Sequence, residues 1–458
     1  VLTTTFIILA IVVVTALAFD FTNGFHDTAN AMATSIATGA LKPMVAVAYS
    51  AVFNLIGAFL SVHVAATVAS GIVNLDSYDL TAAAGAAPVE GPALLMVVFA
   101  GLIGGILWNL FTWLLGLPSS SSHALFGGLI GAALAAMGMS GVAWSSILGK
   151  IILPAIVSPF IAGMVSAIGT FMVYWITNTI PNDVKNHHFK RGQVVTAGLV
   201  SLAHGAGDAQ KTMGVIFLAL VAAGNANPDA RIPTWVIVAC AFAIALGTLS
   251  GGWRVIRTLG KGLVDIEPPQ GLAADASSAS IILTSAAGGM ALSTTHVSTG
   301  SILGTGIGKK GATVRWGVAM RMVSAWLITL PCAAFVGFAT WWLATGVAAL
   351  TSPVVGVIVD FVLLIAMTIL IIVRSRMNPI DASNVADEWS GETETVDTSV
   401  GSTDDAAANS ASDGAPGIES TLGTVLADAI EHSPEEPATV ASSGEARKGA
   451  VNSEKREV

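Results

Sequence analysis

The sequence predicts an all-α polytopic membrane protein made of two inverted-topology repeats with broken helices and short half-helix elements. Three observations lead there. The 458 residues are 53% hydrophobic and 11% charged, with a mean hydropathy of +0.75, far more apolar than a soluble domain of this size. A polar island interrupts a long apolar run once in each half of the chain. The basic clusters fall on one side when crossings are counted from an outside N-terminus, as cytoplasmic loops of a membrane protein do.

At about 20 apolar residues per crossing, the spans fall near 3–40, 43–62, 93–116, 118–137 and 147–178. After the hydrophilic stretch 181–192 they continue near 193–223, 233–256, 271–290, 293–308, 312–345 and 348–375. The first is read as a membrane segment, having no basic flank or Ala-x-Ala signal of a removed leader. Eleven crossings then place Lys42, the Lys185/Lys190/Arg191 loop, Arg254/Arg257/Lys261, Lys309/Lys310/Arg315 and Arg374/Arg376 inside the cell. The loop 63–92 carries acids but no Lys or Arg and suits the outer face. The expected organisation is a first membrane repeat over 1–180, a cytoplasmic linker over 181–192, a second repeat over 193–380 and a tail over 381–458. The tail holds 17 of the 29 acidic residues with few bulky apolar ones, so it is expected to be disordered and cytoplasmic. Cys240 and Cys332 lie in separate apolar segments and read as buried thiols.

The first island, Phe19-Asp-Phe-Thr-Asn-Gly-Phe-His-Asp-Thr-Ala-Asn-Ala-Met-Ala-Thr34, has its counterpart in Ala203-His-Gly-Ala-Gly-Asp-Ala-Gln-Lys-Thr-Met-Gly214. Aligning Asp27 with Asp208 also matches Gly24 with Gly205 and Met32 with Met213, and sets Asn23 opposite His204 and Asn30 opposite Lys211. Ionisable side chains inside membrane segments are costly against lipid and mark ion or substrate paths. Both helices are expected to break at the islands and expose carbonyls. With Asp27, Asp208, Asn23 and Asn30 these would give hard oxygen coordination for Na⁺, and the same carboxylates could carry H⁺ instead. Lys211 is placed to neutralise Asp208 or to touch an anion. His26 stands beside Asp27, and His204 is expected in a proton-handling or structural role.

A second pair of motifs follows. Gly116-Leu-Pro-Ser-Ser-Ser-Ser-His-Ala-Leu-Phe-Gly-Gly-Leu-Ile-Gly131 superposes on Leu292-Ser-Thr-Thr-His-Val-Ser-Thr-Gly-Ser-Ile-Leu-Gly304, His123 on His296. Ser120, Ser121 and Ser122 then meet Ser293, Thr294 and Thr295. Hydroxyls ahead of a Gly-spaced apolar helix make a helix N-terminus inside the membrane, whose free N–H groups and positive dipole end favour an anion. The glycines permit close packing. Both histidines read either as structural hydrogen-bond partners or as proton-transfer groups. An enzymatic Ser122–His123 pair is rejected, because neighbours in sequence on one helix do not face each other.

With these motifs, the sequence resembles the inorganic phosphate transporter (PiT) family, of the bacterial low-affinity phosphate permease type. The residues carrying it are Asn23-Gly-Phe-His-Asp-Thr-Ala-Asn-Ala, Trp108 through Ser120–His123, His204 through Lys211, and Ser293-Thr-Thr-His296, in order over roughly 5–375. The resemblance implies a symporter that imports inorganic phosphate with H⁺ or Na⁺, located in the cell membrane and spanning it many times. Its paired aspartates correspond to Asp27 and Asp208, which would also be the metal ligands if the ion is Na⁺. Ser120–Ser122, Ser293–Thr295, Gln210 and Lys211 are then the expected phosphate ligands. Phe25-His26-Asp27 departs from the family's Ala-Asn-Asp and leaves the coupling ion open. Sulfate remains an alternative oxyanion, and an anion channel a third reading. Also open are free phosphate against a metal-phosphate complex, and a homodimer; the expected surroundings are lipid, with no nucleic acid and no resident cofactor.

Overall fold

The computed structural model describes residues 2–73 and 91–387. These are almost wholly helical, with two isolated bridges, Val73 to Val142 and Val264 to Val314, as the extended pairings among the described residues. The order is α1 Leu2–Ala37, α2 Pro43–Gly57, α3 His63–Gly71, α4 Gly91–Leu114, α5 Ser121–Met137, α6 Trp144–Ile147 and α7 Leu153–Ile176. The second half supplies α8 Asn182–Ala222, α9 Thr234–Ser250, α10 Trp253–Arg257, α11 Pro268–Ala287, α12 Thr294–Gly308, α13 Trp316–Leu350 and α14 Pro353–Ser375.

Six helices among the described residues are long and apolar enough to cross a membrane, seven if the bent pair α9–α10 is one span. The remaining expected crossings fall on α2, α8, α11 and α12. Two of these are short, with 15 residues each in α2 and α12. The central stretch of α8 carries the polar residues of the second island, which lowers its apolarity. Burial sorts the helices by depth. The membrane-length window of α4 is 83% buried while those of α7, α13 and α14 are 22–28% buried. Phe160, Met164, Leu327, Phe335, Leu350 and Val362 are exposed on these outer helices, as an apolar belt against lipid requires.

The structure corrects the expected breaks. Helix α1 runs unbroken through Asp27 and α8 unbroken through Asp208. The islands do not unwind because their side chains find partners on other helices, so no backbone carbonyl has to be surrendered. The break falls elsewhere: α9 and α10 meet at 63° across Gly251, whose φ of 70° only glycine adopts freely. The half-helix starts appear where expected. Ser120 Oγ accepts from His123 N at 3.2 Å and Ser293 Oγ from His296 N at 3.3 Å, each a side-chain N-cap.

Packing repeats between the halves. Helix α5 lies against α13 as α12 lies against α7, and α1 against α9 as α8 against α2. The matched glycines sit at the same joints. A Cβ on Gly131 would run into the backbone of Ala334, and one on Gly304 into the backbone of Gly163. Likewise Gly24 abuts the Ile244 carbonyl and Gly205 that of Asn54. Of the segment expected as a tail, residues 381–387 are described; they form turns and bury Val385 in the core that contains Met32 and Val255. The rest of it, and 74–90 of the expected outer loop, lie outside the described residues.

Candidate functional site

The two islands and the two half-helix starts converge on one buried cluster. Asp27 and Asp208 are 1% and 0% exposed, and Ser121, Ser122, Thr294 and Thr295 are all buried. Ser121 Oγ donates to Asp27 Oδ2 at 2.5 Å. Its counterpart Thr294 Oγ1 donates to Asp208 Oδ2 at 3.1 Å and lies 3.5 Å from Asp27 Oδ2. One threonine hydroxyl therefore stands between both carboxylates.

Across the two halves the contacts pair again. Asn30 Nδ2 donates to Thr295 Oγ1 at 3.0 Å and to Thr294 Oγ1 at 3.3 Å, while Lys211 Nζ donates to Ser122 Oγ at 2.5 Å. Asn30 and Lys211 are aligned positions, as are Thr295 and Ser122. Each island thus reaches the half-helix start of the opposite half. Lys211 also forms an ion pair with Asp208 and donates to the Leu292 carbonyl at 2.9 Å. A charged pair this deep keeps its net charge small only because both members are present.

The histidines divide. His26 Nδ1 meets Asp27 Oδ1 at 2.7 Å, and His204 Nε2 lies 3.3 Å from Asp208 Oδ2, so these two belong to the cluster. The other face of His204 is fixed by Asn54 Oδ1 at 2.9 Å, and Asn54 Nδ2 donates to Thr248 Oγ1. His123 and His296 come together instead, ring centroids 4.9 Å apart, with His296 over Trp326 at 4.2 Å. They line an apolar cavity of about 710 Å³ between α7, α12 and α13, beside the carboxylate cluster.

Gln210 is bound to α3 and within its own helix. Its Oε1 accepts from Val64 N at 2.8 Å and its amide donates to the Ala206 carbonyl. The N-cap residue of α3, Val62, has no side chain that can cap; Ser61 Oγ accepts from His63 N at 3.3 Å and Gln210 from the next amide, so Gln210 helps to cap α3. Asn23 lies one turn before Asp27 on the same face of α1, and among the described residues its buried Oδ1 has no hydrogen-bond partner. Ser120 and Ser293 use their acceptor capacity in capping, which leaves each hydroxyl proton to point elsewhere.

Ser119 and Thr248 are site residues that the motifs did not single out. Ser119 Oγ meets Thr112 Oγ1 at 2.7 Å and its carbonyl accepts from Thr295. Its place at the head of the serine run was the available signal; Thr248, at the end of an apolar helix, offers none. Asp27, His204 and Asp208 each present a ligand atom, all within 4.8 Å of one another, a donor set that suits a small cation with oxygen and nitrogen ligands. His204 joins the two carboxylates expected from the sequence.

Residues 23–337 match the phosphate transporter family. A Mycobacterium leprae protein named "probable low-affinity inorganic phosphate transporter" is 55% identical, with 84% of this chain and 88% of that protein covered. A protein of the same name from Bacillus subtilis is 44% identical over 72% of this chain and 95% of its own. Among solved structures, one described as the sodium-dependent phosphate transporter superposes with a TM-score of 0.64 at 24% identity, over 74% of this chain and 99% of that one. That likeness speaks to the fold. On the breadth of these matches, the chain belongs to the phosphate transporter family.

Proposed function

We infer that this protein imports inorganic phosphate by symport, with the anion held between the starts of α5 and α12 and the coupling cation held by Asp27 and Asp208. The observation that carries the reading is the crosswise pairing of two hydroxyl-tipped helix starts with two buried carboxylates. Hydroxyls, backbone N–H groups and the Lys211 ammonium are donors suited to a phosphate oxygen. Equivalent joints in the two halves support a duplicated, inverted transporter core, and the one-sided basic clusters support an N-terminus outside.

The carboxylates explain the coupling. Asp27, Asp208 and Lys211 sum to one negative charge, and a phosphate adds one or two more. Moving each negative charge into a negative interior costs about 2.3 kcal/mol per 100 mV. Co-bound cations offset that cost. They also release the site, since Ser121 and Thr294 donate to carboxylates and the same protons are needed by the anion. A cation or proton on Asp27 and Asp208 turns those hydroxyls toward phosphate, so the cation binds first.

The test is labelled-phosphate uptake into proteoliposomes with Na⁺ and pH gradients imposed separately. Wild type is expected to accumulate phosphate under one of them. Asp27→Asn and Asp208→Asn are expected to lose accumulation while remaining folded and monodisperse. Full uptake by either variant removes the coupling role given to that carboxylate.

A further inference from the structure

Helix α1 carries a polar stripe that is longer than the substrate site. Asp20, Asn23, Asp27, Asn30 and Thr34 recur at three- and four-residue steps on one face, Thr38 continues them just past the helix end, and all are buried by protein. At 1.5 Å per residue the stripe spans about 27 Å, close to the roughly 30 Å of a bilayer's hydrocarbon core. The site occupies only its middle.

Each end of the stripe holds an acid that the duplication does not explain. Asp20, seven residues before Asp27, would align with Ser201, which is no acid. It is 0% exposed, its Oδ1 accepts from Thr212 Oγ1 at 2.9 Å, and among the described residues its Oδ2 has no nitrogen or oxygen donor, the Cys240 thiol being the group beside it. Asp275 of α11 meets the stripe seven residues after Asp27: Thr34 Oγ1 donates to its Oδ1 at 2.6 Å, and Gln193 Nε2 to its Oδ2 at 3.4 Å. Among the described residues neither acid makes an ion pair. The titratable groups facing Asp20 are Asp208 on α8 and Cys240 on α9; Asp275 faces Thr34 and Gln193, neither of which ionises.

We propose that Asp20 and Asp275 are proton-binding stations on either side of the central carboxylates, making the stripe of α1 the route by which H⁺ reaches and leaves the phosphate site. A buried carboxylate without a cationic partner has to be neutralised by a bound cation. A metal cation is a poor fit at both places. Asp20 has one carboxylate, one hydroxyl and a thiol around it, and Asp275 one carboxylate, one hydroxyl and an amide NH₂, both short of the six or so oxygens a hard ion collects. A proton needs a single oxygen. Each station takes one H⁺ from the side it faces and returns to carboxylate on passing it inward through water. Along α1, Asp27 lies seven residues, about 10 Å, from Asp20 and as far from Thr34, which meets Asp275.

The inference rests on the symport reading, and one experiment separates the two. Full-length protein in proteoliposomes is assayed for labelled phosphate exchange at equal pH, which needs only the loaded carrier, and for phosphate-dependent proton entry with a trapped pH dye. Asp20→Asn and Asp275→Asn are expected to keep exchange within about twofold and to lose phosphate-linked proton entry by about tenfold or more. Asp20→Glu and Asp275→Glu, which keep an ionisable group, are expected to restore it and to serve if an Asn variant folds poorly. Wild type without exchange overturns phosphate transport itself. Wild type that exchanges phosphate without moving protons, as a Na⁺-driven carrier would, overturns the proton route alone. So does normal proton entry in both Asn variants.

Discussion

Lys211 touches oxygens from three elements, Asp208 on its own helix, Ser122 at the start of α5 and the Leu292 carbonyl before α12. Because the ammonium is 2% exposed, severing the pair differs from deleting it. Lys211→Met leaves a buried carboxylate without its cation and is expected to destabilise the folded protein by about 3–5 kcal/mol, read as a lower Tm in detergent. The double variant Asp208→Asn with Lys211→Met removes both charges and is expected to regain much of that loss. Equal instability in single and double variants would mean that the lysine acts through packing. The hydroxyls follow a different logic. Ser121→Ala and Thr294→Ala each remove one donor to a charged group, worth about 1.5–3 kcal/mol, and are expected to raise the KM for phosphate about tenfold or more while sulfate remains a poor competitor. Competition by sulfate at equal concentration would favour the other oxyanion.

At the level of elements, what could be read from the sequence was whatever is settled locally. The starts of α5 and α12 were legible because a cap, a hydroxyl run and a Gly-x-x-x-Gly pair are properties of a few neighbouring residues. The pairing of Asp27 with Ser121 and of Asp208 with Thr294 was legible in outline because the duplication aligned both motifs. The unbroken paths of α1 and α8 were not, since the partners that satisfy Asn30, Asp27 and His204 come from helices tens to hundreds of residues away. The contact of Gln210 with the start of α3 escaped for the same reason, being invisible without the fold. Asp275 was missed as a lone acid in a weakly apolar stretch, with Thr34 to reveal it only in three dimensions. The glycine joints give a direct check. Gly131→Ala and Gly304→Ala press a methyl into facing backbone and are expected to cost about 1–3 kcal/mol or more. Gly346→Ala, in the helical interior of α13 with open space around its Cβ position, is expected to gain about 0.5–1 kcal/mol. Thermal unfolding of the three variants tests whether close approach, rather than helix propensity, holds α5 and α12 in place.

Across the whole molecule, the halves are also tied outside the spanning helices. Glu267, the N-cap of α11, accepts from Tyr174 Oη of α7 at 2.6 Å and pairs with Lys309 beyond α12 at 2.6 Å, while the ammonium of Lys185 at the start of α8 lies 5.0 Å from the Tyr174 ring. One carboxylate thus joins the last helix of the first half to α11 and to the segment after α12, with the start of α8 held at the same tyrosine. Burial pushes the Glu267 carboxyl up, but hydrogen bonds from Lys309 and Tyr174, with the charges of Lys309 and Lys185, outweigh it and hold it below its ordinary value of 4.5. The sign follows from linkage. A carboxyl whose folded pKa is depressed contributes stability that is present above the unfolded value and lost as pH falls through the folded one. Wild type is therefore expected to unfold at a higher temperature than Glu267→Gln near pH 7, with the gap closing as pH drops below the ordinary glutamate range. Salt should narrow the gap as well, because the carboxylate is 47% exposed and its pair is screened. A gap that stays constant down to pH 4 would show that Glu267 works through its capping hydrogen bonds alone, and the charged tie between the halves would then carry no stability.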